Sequence, residues 1–392
     1  MKKYITLLLL ALAVDFGAKA QSCNALSHHY MGHYSISPRN VMELHDENIV
    51  TCVQMYLITN DWQYIGDYGY RFLKISREDA TVMDSVMIYD EHMITHPFLE
   101  PSPVADDFLF VTLQYDDSFG NCYLDIRHFD DDLAYDESAE VRTLLEGQNI
   151  YEGRFALDGE DLIVYYSTRE AAGNFHPDSI VVSRFGLDGT LKTRKTHPYS
   201  DCLFADDFGR LRVWNESPKE YLISGVERIP HNGYCELHYH FGIFDEEFNI
   251  LEMRSYDDET FPWPYFADYH NTNDFKSFDD DTYLVSGGMD EINAQVSGCG
   301  VVKRDKTTHA NLNFSFFPKP KLGSPQYLGL CKANDGGFYS VFHAGLGDAY
   351  IAIQRFDADL NILWERYWNS NDDEPFDFPI GLCSLSNGGV GS

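Results

Sequence analysis

One sequence pattern recurs about every 50 to 60 residues, and it constrains the fold more than any other feature of the chain. Each copy has an apolar strand, a loop, a second strand ending in Arg-Phe-Asp or a related sequence, a tight acidic turn and a third strand. The clearest copies of the second strand and its turn are Tyr70–Asp79, Tyr123–Leu133, Ile180–Leu191, Tyr239–Ile250 and Tyr350–Ile362, with a degenerate copy at Cys299–His309. Such repetition is typical of an array of similar supersecondary units. It predicts an architecture and leaves the chemistry open.

Turn residues divide each repeat into four short segments rich in Val, Ile, Phe and Tyr. In the last complete repeat the strands are predicted at Tyr327–Ala333, Gly337–Ala344, Asp348–Asp357 and Asn361–Asn369. This composition, with almost no helical periodicity, favours four-stranded antiparallel sheets. Four-stranded sheets at this interval are typical of a β-propeller, whose ring removes most exposed strand edges. The predicted fold is therefore an all-β β-propeller with six complete blades and a partial seventh.

The repeat boundaries predict the domain organisation. A signal peptide is expected at 1–20 and a single propeller domain at 21–392, with blades near 38–95, 96–147, 148–198, 199–258, 270–318 and 325–370 and a partial blade at 378–392. Two interpretations of the partial blade remain open. Either the N-terminal strand around His29–Ser37 helps to complete it, or the natural chain continues beyond Ser392.

The last complete repeat carries the most distinctive motifs. These are Asn334-Asp335-Gly336-Gly337-Phe338, Arg355-Phe356-Asp357 and Asn361-Ile362-Leu363-Trp364. They resemble the repeats of secreted β-propeller proteins from bacteria that use type IX export, and the resemblance covers nearly all of the chain after residue 20. The sequence departs from those proteins because it holds no C-terminal sorting domain. The resemblance implies a fold and an export route, and it implies no activity.

The first twenty residues have the pattern of a secretory signal. Two lysines precede an apolar run at Tyr4–Val14, and Ala18-Lys19-Ala20 precedes Gln21, which predicts cleavage after Ala20. A lipid anchor on Cys23 is the competing interpretation. No other stretch approaches the ~18 apolar residues needed to cross a bilayer. The predicted location is secreted, at the cell surface or in the periplasm.

The chain is strongly acidic, with a formal net charge of −33. Such a charge repels nucleic acid and anionic lipid at long range. The acidic runs fall at predicted turns, where solvated carboxylates keep an exported protein soluble. The predicted partner is an extracellular or cell-surface polymer, peptide or protein, and no nucleic acid.

The eight cysteines show no Cys-x-x-Cys spacing that would favour metal binding or redox chemistry. Several of them occupy matching places in different repeats, and matching places lie far apart in a ring. Most are therefore predicted to be buried small hydrophobes, with one or two disulfides.

The two ends of the blades are predicted to differ. Turns between first and second strands, and between third and fourth strands, are short and acidic. The opposite end carries long connections, at Thr59–Gly69, Asp90–Pro103, Thr168–Asp178, Glu227–Gly233, Asp257–Phe275, Met289–Val296 and Asn369–Phe378. A rigid scaffold usually carries its functional residues on such loops.

Two of these connections hold candidate ligand-binding aromatic residues. Trp263, Tyr265 and Phe266 lie in the longest one, and Trp62 and Tyr64 lie in another. Their flat faces can stack on a sugar or a peptide. In the alternative interpretation, these side chains fold back and seal a blade edge.

Glu236, His238 and His240 alternate along one predicted strand, so their side chains point to one face. Two imidazoles and a carboxylate can form an open divalent-metal site. The alternative is that these are solvent-facing polar residues on the outer part of a blade. An acidic face that takes calcium is a further possibility, although the sequence has no full Asp-x-Asp-x-Asp-Gly loop that ends in a bidentate acid.

Catalytic motifs are absent from the sequence: it has no Gly-x-Ser-x-Gly, His-Glu-x-x-His, P-loop or Gly-x-Gly-x-x-Gly pattern that would indicate an enzyme. The inner strands Leu328–Ala333 and Ile380–Ser384 also lack the carboxylates of a propeller glycosidase. The predicted function is therefore an exported, non-enzymatic binding or interaction module. The alternative is a carbohydrate-active enzyme, a glycoside hydrolase or lyase, on the same scaffold.

Overall fold

The chain folds almost entirely into β-strands. The computed structural model describes residues 34–58, 64–78, 81–89, 97–116, 120–135, 137–145, 150, 153–169, 178–198, 207–231, 234–256, 274–277, 281–290, 296–320, 326–344, 350–369, 383–386 and 390–391, in parts of some strands through the backbone alone. Within these ranges the only helix is the 3₁₀ turn Glu137–Ala139. None of the described residues forms a helix long and apolar enough to cross a membrane.

Six four-stranded antiparallel sheets form the blades of a β-propeller, which confirms the predicted all-β fold and the six complete blades. In every blade the four strands are neighbours in chain order. The chain divides into two compact units, of which the first contains blades 1 and 2 and the second contains blades 3 to 6.

The first unit contains eight blade strands. Blade 1 consists of β1 (Tyr34–Glu43), β2 (Ile49–Ile58), β3 (Tyr64–Ile75) and β4 (Val82–Tyr89). Blade 2 consists of β5 (Phe98–Pro101), β6 (Phe108–Tyr115), β7 (Cys122–Phe129) and β8 (Val141–Leu144).

The second unit contains sixteen strands. Blade 3 consists of β9 (Gly153–Asp158), β10 (Asp161–Thr168), β11 (Ser179–Gly186) and β12 (Leu191–Pro198). Blade 4 consists of β13 (Asp207–Glu216), β14 (Lys219–His231), β15 (Tyr234–Asp245) and β16 (Ile250–Tyr256). Blade 5 consists of β17 (Asp274–Ser277), β18 (Thr282–Asp290), β19 (Val296–Asp305) and β20 (Asn311–Pro320). Blade 6 consists of β21 (Gln326–Lys332), β22 (Phe338–Ala344), β23 (Tyr350–Phe356) and β24 (Ile362–Asn369).

A further antiparallel pair belongs to the first unit: β25 (Cys383–Ser384) and β26 (Val390–Gly391). Leu385 follows β25 and is only 2% exposed. It packs against apolar residues of blade 1, namely Val41, Ile49, Leu73 and Ile75. The backbone N–H of Ser386 donates a hydrogen bond to Glu43 Oε2 at 2.6 Å. These contacts anchor the segment to blade 1.

The phenylalanine of the repeated motif is a core residue in each blade that has it. Phe129, Phe185, Phe244 and Phe356 are 0 to 3% exposed. In the first unit, Phe129 stacks on Phe108 with ring centroids 5.3 Å apart, within a cluster that joins blades 1 and 2. The motif recurs because each blade needs a large apolar side chain at this place to fill the space beside its neighbour.

Several predicted connections contain strand residues and were drawn too long. Within Thr59–Gly69, β3 begins at Tyr64, and within Asp90–Pro103, β5 covers Phe98–Pro101. Glu227–Gly233 was expected to be an irregular loop, but β14 continues to His231 and pairs with β15 up to His231↔Tyr234. The sequence signal was Asn232-Gly233, a dipeptide that favours a two-residue hairpin connection. The run before it therefore extends the strand and does not form a binding loop.

Three cysteines have described side chains. Cys52, Cys122 and Cys331 are buried and free of disulfides, as predicted for most of the cysteines. Burial, and then the charge of Asp125, raise the pKa of the Cys122 thiol to about 12. A thiol held protonated in this way is a poor nucleophile, so it acts as a packing residue.

Candidate functional site

Most of the predicted site residues lie outside the side chains that the structure describes. Trp62, Trp263, Tyr265 and Phe266 fall outside the described residues altogether. Tyr64 is the first residue of β3, where the structure describes the backbone alone. The aromatic ligand site therefore stays a prediction.

The predicted metal ligands lie on β15, as the alternation required, and Glu236 and His238 are described there through the backbone. His240 pairs with Gly225 of β14 and Ser255 of β16, and it is 4% exposed. The solvent-facing interpretation is therefore wrong for His240. Among the residues with described side chains, no group of three or more His, Cys, Asp or Glu residues could hold a metal.

The turns between third and fourth strands share one hydrogen-bonded structure, at the end of the blades predicted to be short and acidic. Asp130 Oδ1 accepts the backbone N–H groups of Asp132 at 2.9 Å and Ala134 at 2.8 Å. Asp357 Oδ1 accepts those of Asp359 and Asn361, both at 2.9 Å. The hydrogen bonds from Asn361 lower the pKa of Asp357. These acids hold the turn in shape, a use of Asp that local side-chain hydrogen bonding explains.

The same turns fasten each blade to the one before it within a unit. In the second unit, the buried Phe248 of the blade 4 turn packs 5.5 Å from the ring of Tyr221, and its carbonyl accepts a hydrogen bond from His197 Nε2 of blade 3 at 2.9 Å. In the first unit, Asp131 Oδ2 of the blade 2 turn accepts the backbone N–H of Asp46 in blade 1 at 2.9 Å. This end of the blades is thus occupied by structural contacts.

A partly buried network of polar groups joins blades 3 and 4 at this end. Lys219 Nζ donates to Asp158 Oδ1 at 2.5 Å, the Tyr221 hydroxyl donates to the same carboxylate, and Arg184 Nη2 donates to the Tyr221 hydroxyl at 2.6 Å. Burial opposes the charge of Asp158, but the hydrogen bonds from Lys219 and Tyr221 keep its pKa below the ordinary value. Burial, and then Asp158, raise the pKa of Tyr221. The network holds an ionised acid and a protonated phenol, which suits a structural role.

A hydroxyl, an imidazole and a carboxylate line up between blades 4 and 5. Tyr283 Oη lies 3.0 Å from His309 Nδ1, and His309 Nε2 lies 3.3 Å from Glu252 Oε2. Burial, and then the charge of Arg254, lower the pKa of His309, which favours the neutral ring. That ring accepts from Tyr283 at Nδ1 and donates to Glu252 from Nε2. This order resembles a catalytic nucleophile with its base and orienting acid. Tyr283 is 0% exposed, however, so a substrate cannot reach its hydroxyl. The three groups therefore have a structural role.

Blade 2 holds a charge-balanced cluster that the sequence pattern did not single out. Asp125 of β7 is 0% exposed and lies 3.5 Å from Arg127 Nη2 and 3.6 Å from Arg142 Nε. Arg127 Nε also contacts Glu140 at 3.1 Å. Buried carboxylates require such partners, because desolvation otherwise disfavours the charged form. The signal in the sequence was an aspartate within an apolar strand.

Comparison with known proteins assigns the chain to no family. No protein-family model and no curated protein matches the chain. Among solved structures, a mutant of the Synechocystis apocarotenoid oxygenase is similar over 86% of this chain and 93% of its own, at 9% identity and a TM-score of 0.45. A protein of unknown function from Bacteroides caccae covers 78% of this chain and 91% of its own, at 11% identity and a TM-score of 0.41.

A third similar structure is Drosophila Plexin A in complex with Semaphorin 1b, which covers 89% of this chain and 79% of its own at 11% identity and a TM-score of 0.42. Likeness at this level assigns no activity and no partner to the chain. Its six four-stranded blades make it a β-propeller protein, a scaffold that hosts many unrelated functions.

Proposed function

We propose that the chain is an exported, non-enzymatic β-propeller that acts as a binding or interaction module for an extracellular or cell-surface polymer, peptide or protein. The observation that carries the proposal is the structural use of one end of the blades. At one end, the turns between third and fourth strands are hydrogen-bonded and packed onto the preceding blade, as at Phe248. That end is committed to folding, which leaves the opposite connections available for recognition.

The ligand site of this proposal is the connection between β16 and β17, residues 257–273, with Trp263, Tyr265 and Phe266 as stacking residues. Trp62 and Tyr64, where β3 begins, serve the same role in blade 1. Aromatic faces supply a large contact area at low conformational cost, and they suit a sugar ring or a peptide in a strongly acidic protein that repels polyanions.

Two acids with arginine or lysine partners, Asp125 and Asp158, are poorly suited to hydrolysis. A propeller glycosidase needs one carboxyl group that stays protonated long enough to act as a general acid. Asp125 lies between two arginines, and the pKa of Asp158 is lowered. Neither acid has the environment that this role requires.

The test is a double variant, Trp263→Ala with Tyr265→Ala, assayed on glycan and peptide arrays beside thermal unfolding. A binding role predicts lost array signal with a free energy of unfolding changed by about 0.5 kcal/mol or less, as for surface residues. Leu360→Ala is the matched control, because it removes a buried turn residue and should lower stability without changing the binding profile. Sugar release from a glycan by the unaltered chain would instead establish the enzyme alternative.

An unchanged array signal in the double variant contradicts the binding role of this connection. A stability loss of about 3 to 5 kcal/mol, typical of a buried Trp→Ala change, would mean that the aromatic residues seal a blade edge.

We also infer that residues 378–392 begin a seventh blade. Gly381-Leu382-Cys383 and Gly388-Gly389 repeat the spacing of Gly329-Leu330-Cys331 and Gly336-Gly337, which belong to the first hairpin of blade 6. Leu385 is buried against blade 1, as an inner hairpin of a neighbouring blade would be. Leu385→Ala should then lower the free energy of unfolding by about 2 to 5 kcal/mol. An unchanged value would show that the segment does not dock as a blade.

A further inference from the structure

Each blade ends in an outer strand with no further strand beyond it in its sheet, within the described part of the chain. Such edges pair readily with other chains unless charges interrupt them. Five of the six outer strands carry a charged residue within their first four positions: Asp84 in β4, Arg142 in β8, Lys192 in β12, Glu252 in β16 and Glu365 in β24.

The outer strand of blade 5 is the exception. In β20, the segment Asn311–Phe317 contains no charged residue, and the first charge is Lys319. Leu312 is 53% exposed and Phe314 is 46% exposed, and they alternate with Asn311 and Asn313. An uncharged, aromatic-rich edge with exposed apolar side chains is a surface that favours strand pairing.

The two ends of β20 differ in charge. Asn313 Nδ2 donates a hydrogen bond to the carbonyl of Asp359, and Lys303 Nζ donates to the carbonyl of Ala358 at 3.3 Å. These contacts place the acidic turn of blade 6, which also contains Asp357, beside the first residues of β20. The other end of the strand has Lys319. An antiparallel partner that ends in lysines therefore matches the acidic end of β20.

We propose that β20 is a self-association edge, which pairs antiparallel with β20 of a second copy across a two-fold axis. Such an axis places each lysine end beside the acidic turn of the other copy, twice. Pro318 and Pro320 lack a backbone N–H, so the paired segment is Asn311–Phe317. The chain carries a net charge of −33, so two copies repel at long range, and the uncharged segment Asn311–Phe317 adds no charge repulsion of its own at the contact.

The pairing is expected to be weak and reversible, because one of its backbone hydrogen bonds replaces a hydrogen bond that the single chain already makes. The backbone N–H of Phe314 donates to Asn313 Oδ1 at 2.9 Å, and a partner strand exchanges this bond for an intermolecular one. A single strand pair is also a small interface, and small interfaces are typically weak. The dimer therefore forms at micromolar protein concentrations and dissociates on dilution.

The experiment is sedimentation velocity on the full chain, from low to high micromolar concentration. The expected result is a monomer that converts to dimer with concentration, and Leu312→Lys with Phe314→Lys raises the dimer dissociation constant about tenfold or more. The matched control is Leu251→Lys, because Leu251 is also the second residue of an outer strand and also 53% exposed, beside Glu252 in β16. This control leaves dimerisation unchanged.

Lys319→Glu gives a second, independent readout. It weakens the dimer at low salt and has a smaller effect at high salt, where charge interactions are screened. A monomer at every concentration overturns the proposal, as does equal weakening by Leu251→Lys. Thermal unfolding confirms that each variant is folded. If the double variant does not fold, the single variant Leu312→Lys takes its place in the test.

Discussion

Two kinds of turn lie at the same end of the blades and use the same backbone conformation in different ways. Gly159 and Gly336, in turns between first and second strands, have φ angles of 60° and 92°. Leu133, Phe248 and Leu360, in turns between third and fourth strands, have φ angles of 59°, 62° and 64°. A Cβ atom at either glycine would meet nothing within 4 Å, whereas the three large side chains are 0 to 4% exposed.

The contrast shows how the residue in the left-handed conformation decides what a turn contributes to packing. A left-handed conformation costs a residue with a side chain roughly 1 to 2 kcal/mol, so glycine is the economical choice where a turn only reverses the chain. A large residue persists there because burying its side chain contributes about 1.5 to 3 kcal/mol. At these positions a glycine contributes only the reversal of the chain, whereas Leu133 and Phe248 also add side chains to clusters shared with the preceding blade.

The largest expected effect comes from removing a fastening side chain. Phe248→Ala should lower the free energy of unfolding by about 3 to 5 kcal/mol, as expected for a buried phenylalanine, because its ring lies in the cluster between blades 3 and 4. Chemical denaturation of the variant and of the unaltered chain, followed by tryptophan fluorescence, measures this change in the free energy of unfolding.

Phe248→Gly sharpens the same test. It removes the same ring but relieves the backbone, so it should be no more destabilising than the alanine variant. A glycine variant that is clearly less stable would contradict the idea that the left-handed backbone is offset by burial.

The blades were predictable because strand alternation and the recurring phenylalanine both depend on local sequence. The structural role of the turns between third and fourth strands was not predictable in this way. Asp130-Asp131-Asp132-Leu133 reads as a solvated acidic turn, and nothing in its spacing shows that Leu133 enters a core shared with blade 1. That burial depends on the neighbouring blade, which is distant along the chain.

The candidate site shows the same limit. Alternation placed Glu236, His238 and His240 on one face of β15, but it could not tell whether that face is buried, because both faces of a middle strand pack against other blades. His240 proved to be buried. The aromatic residues at 261–266 stay predictions, because a connection without strand periodicity gives no rule for side-chain direction.

A smaller effect is expected in the glycine turns. Gly159→Ala should lower the free energy of unfolding by about 1 kcal/mol through backbone strain alone, because the new methyl group has open space around it. Glu160→Ala, at the neighbouring exposed position, is the control and should stay within about 0.5 kcal/mol. A loss as large as that of Phe248→Ala would mean that this turn also carries contacts between blades.

The smallest effect concerns the turn between third and fourth strands of blade 5, whose buried residue can titrate. His309 has a φ angle of 58° and is 5% exposed, so it occupies the place that Phe248 fills in blade 4. Burial, followed by the charge of Arg254, lowers the pKa of His309, while Glu252 partly opposes the shift. The unfolded chain therefore binds this proton at a higher pH than the folded chain does.

By linkage, the contribution of His309 to stability is fully present above its unfolded pKa of about 6.5, and it is lost as the pH falls through the lower folded pKa. Replacing it with an apolar ring should remove that dependence. His309→Phe with Tyr283→Phe, which avoids leaving the Tyr283 hydroxyl without its acceptor, should lose less stability between pH 7.5 and pH 5.5 than the unaltered chain loses. Urea unfolding at the two pH values measures the difference, and because carboxylates and the other histidines also titrate, only the change in slope between the two proteins counts. Equal slopes would mean that the blade 4 and blade 5 junction does not depend on this proton, and that His309 behaves as the apolar turn residues do.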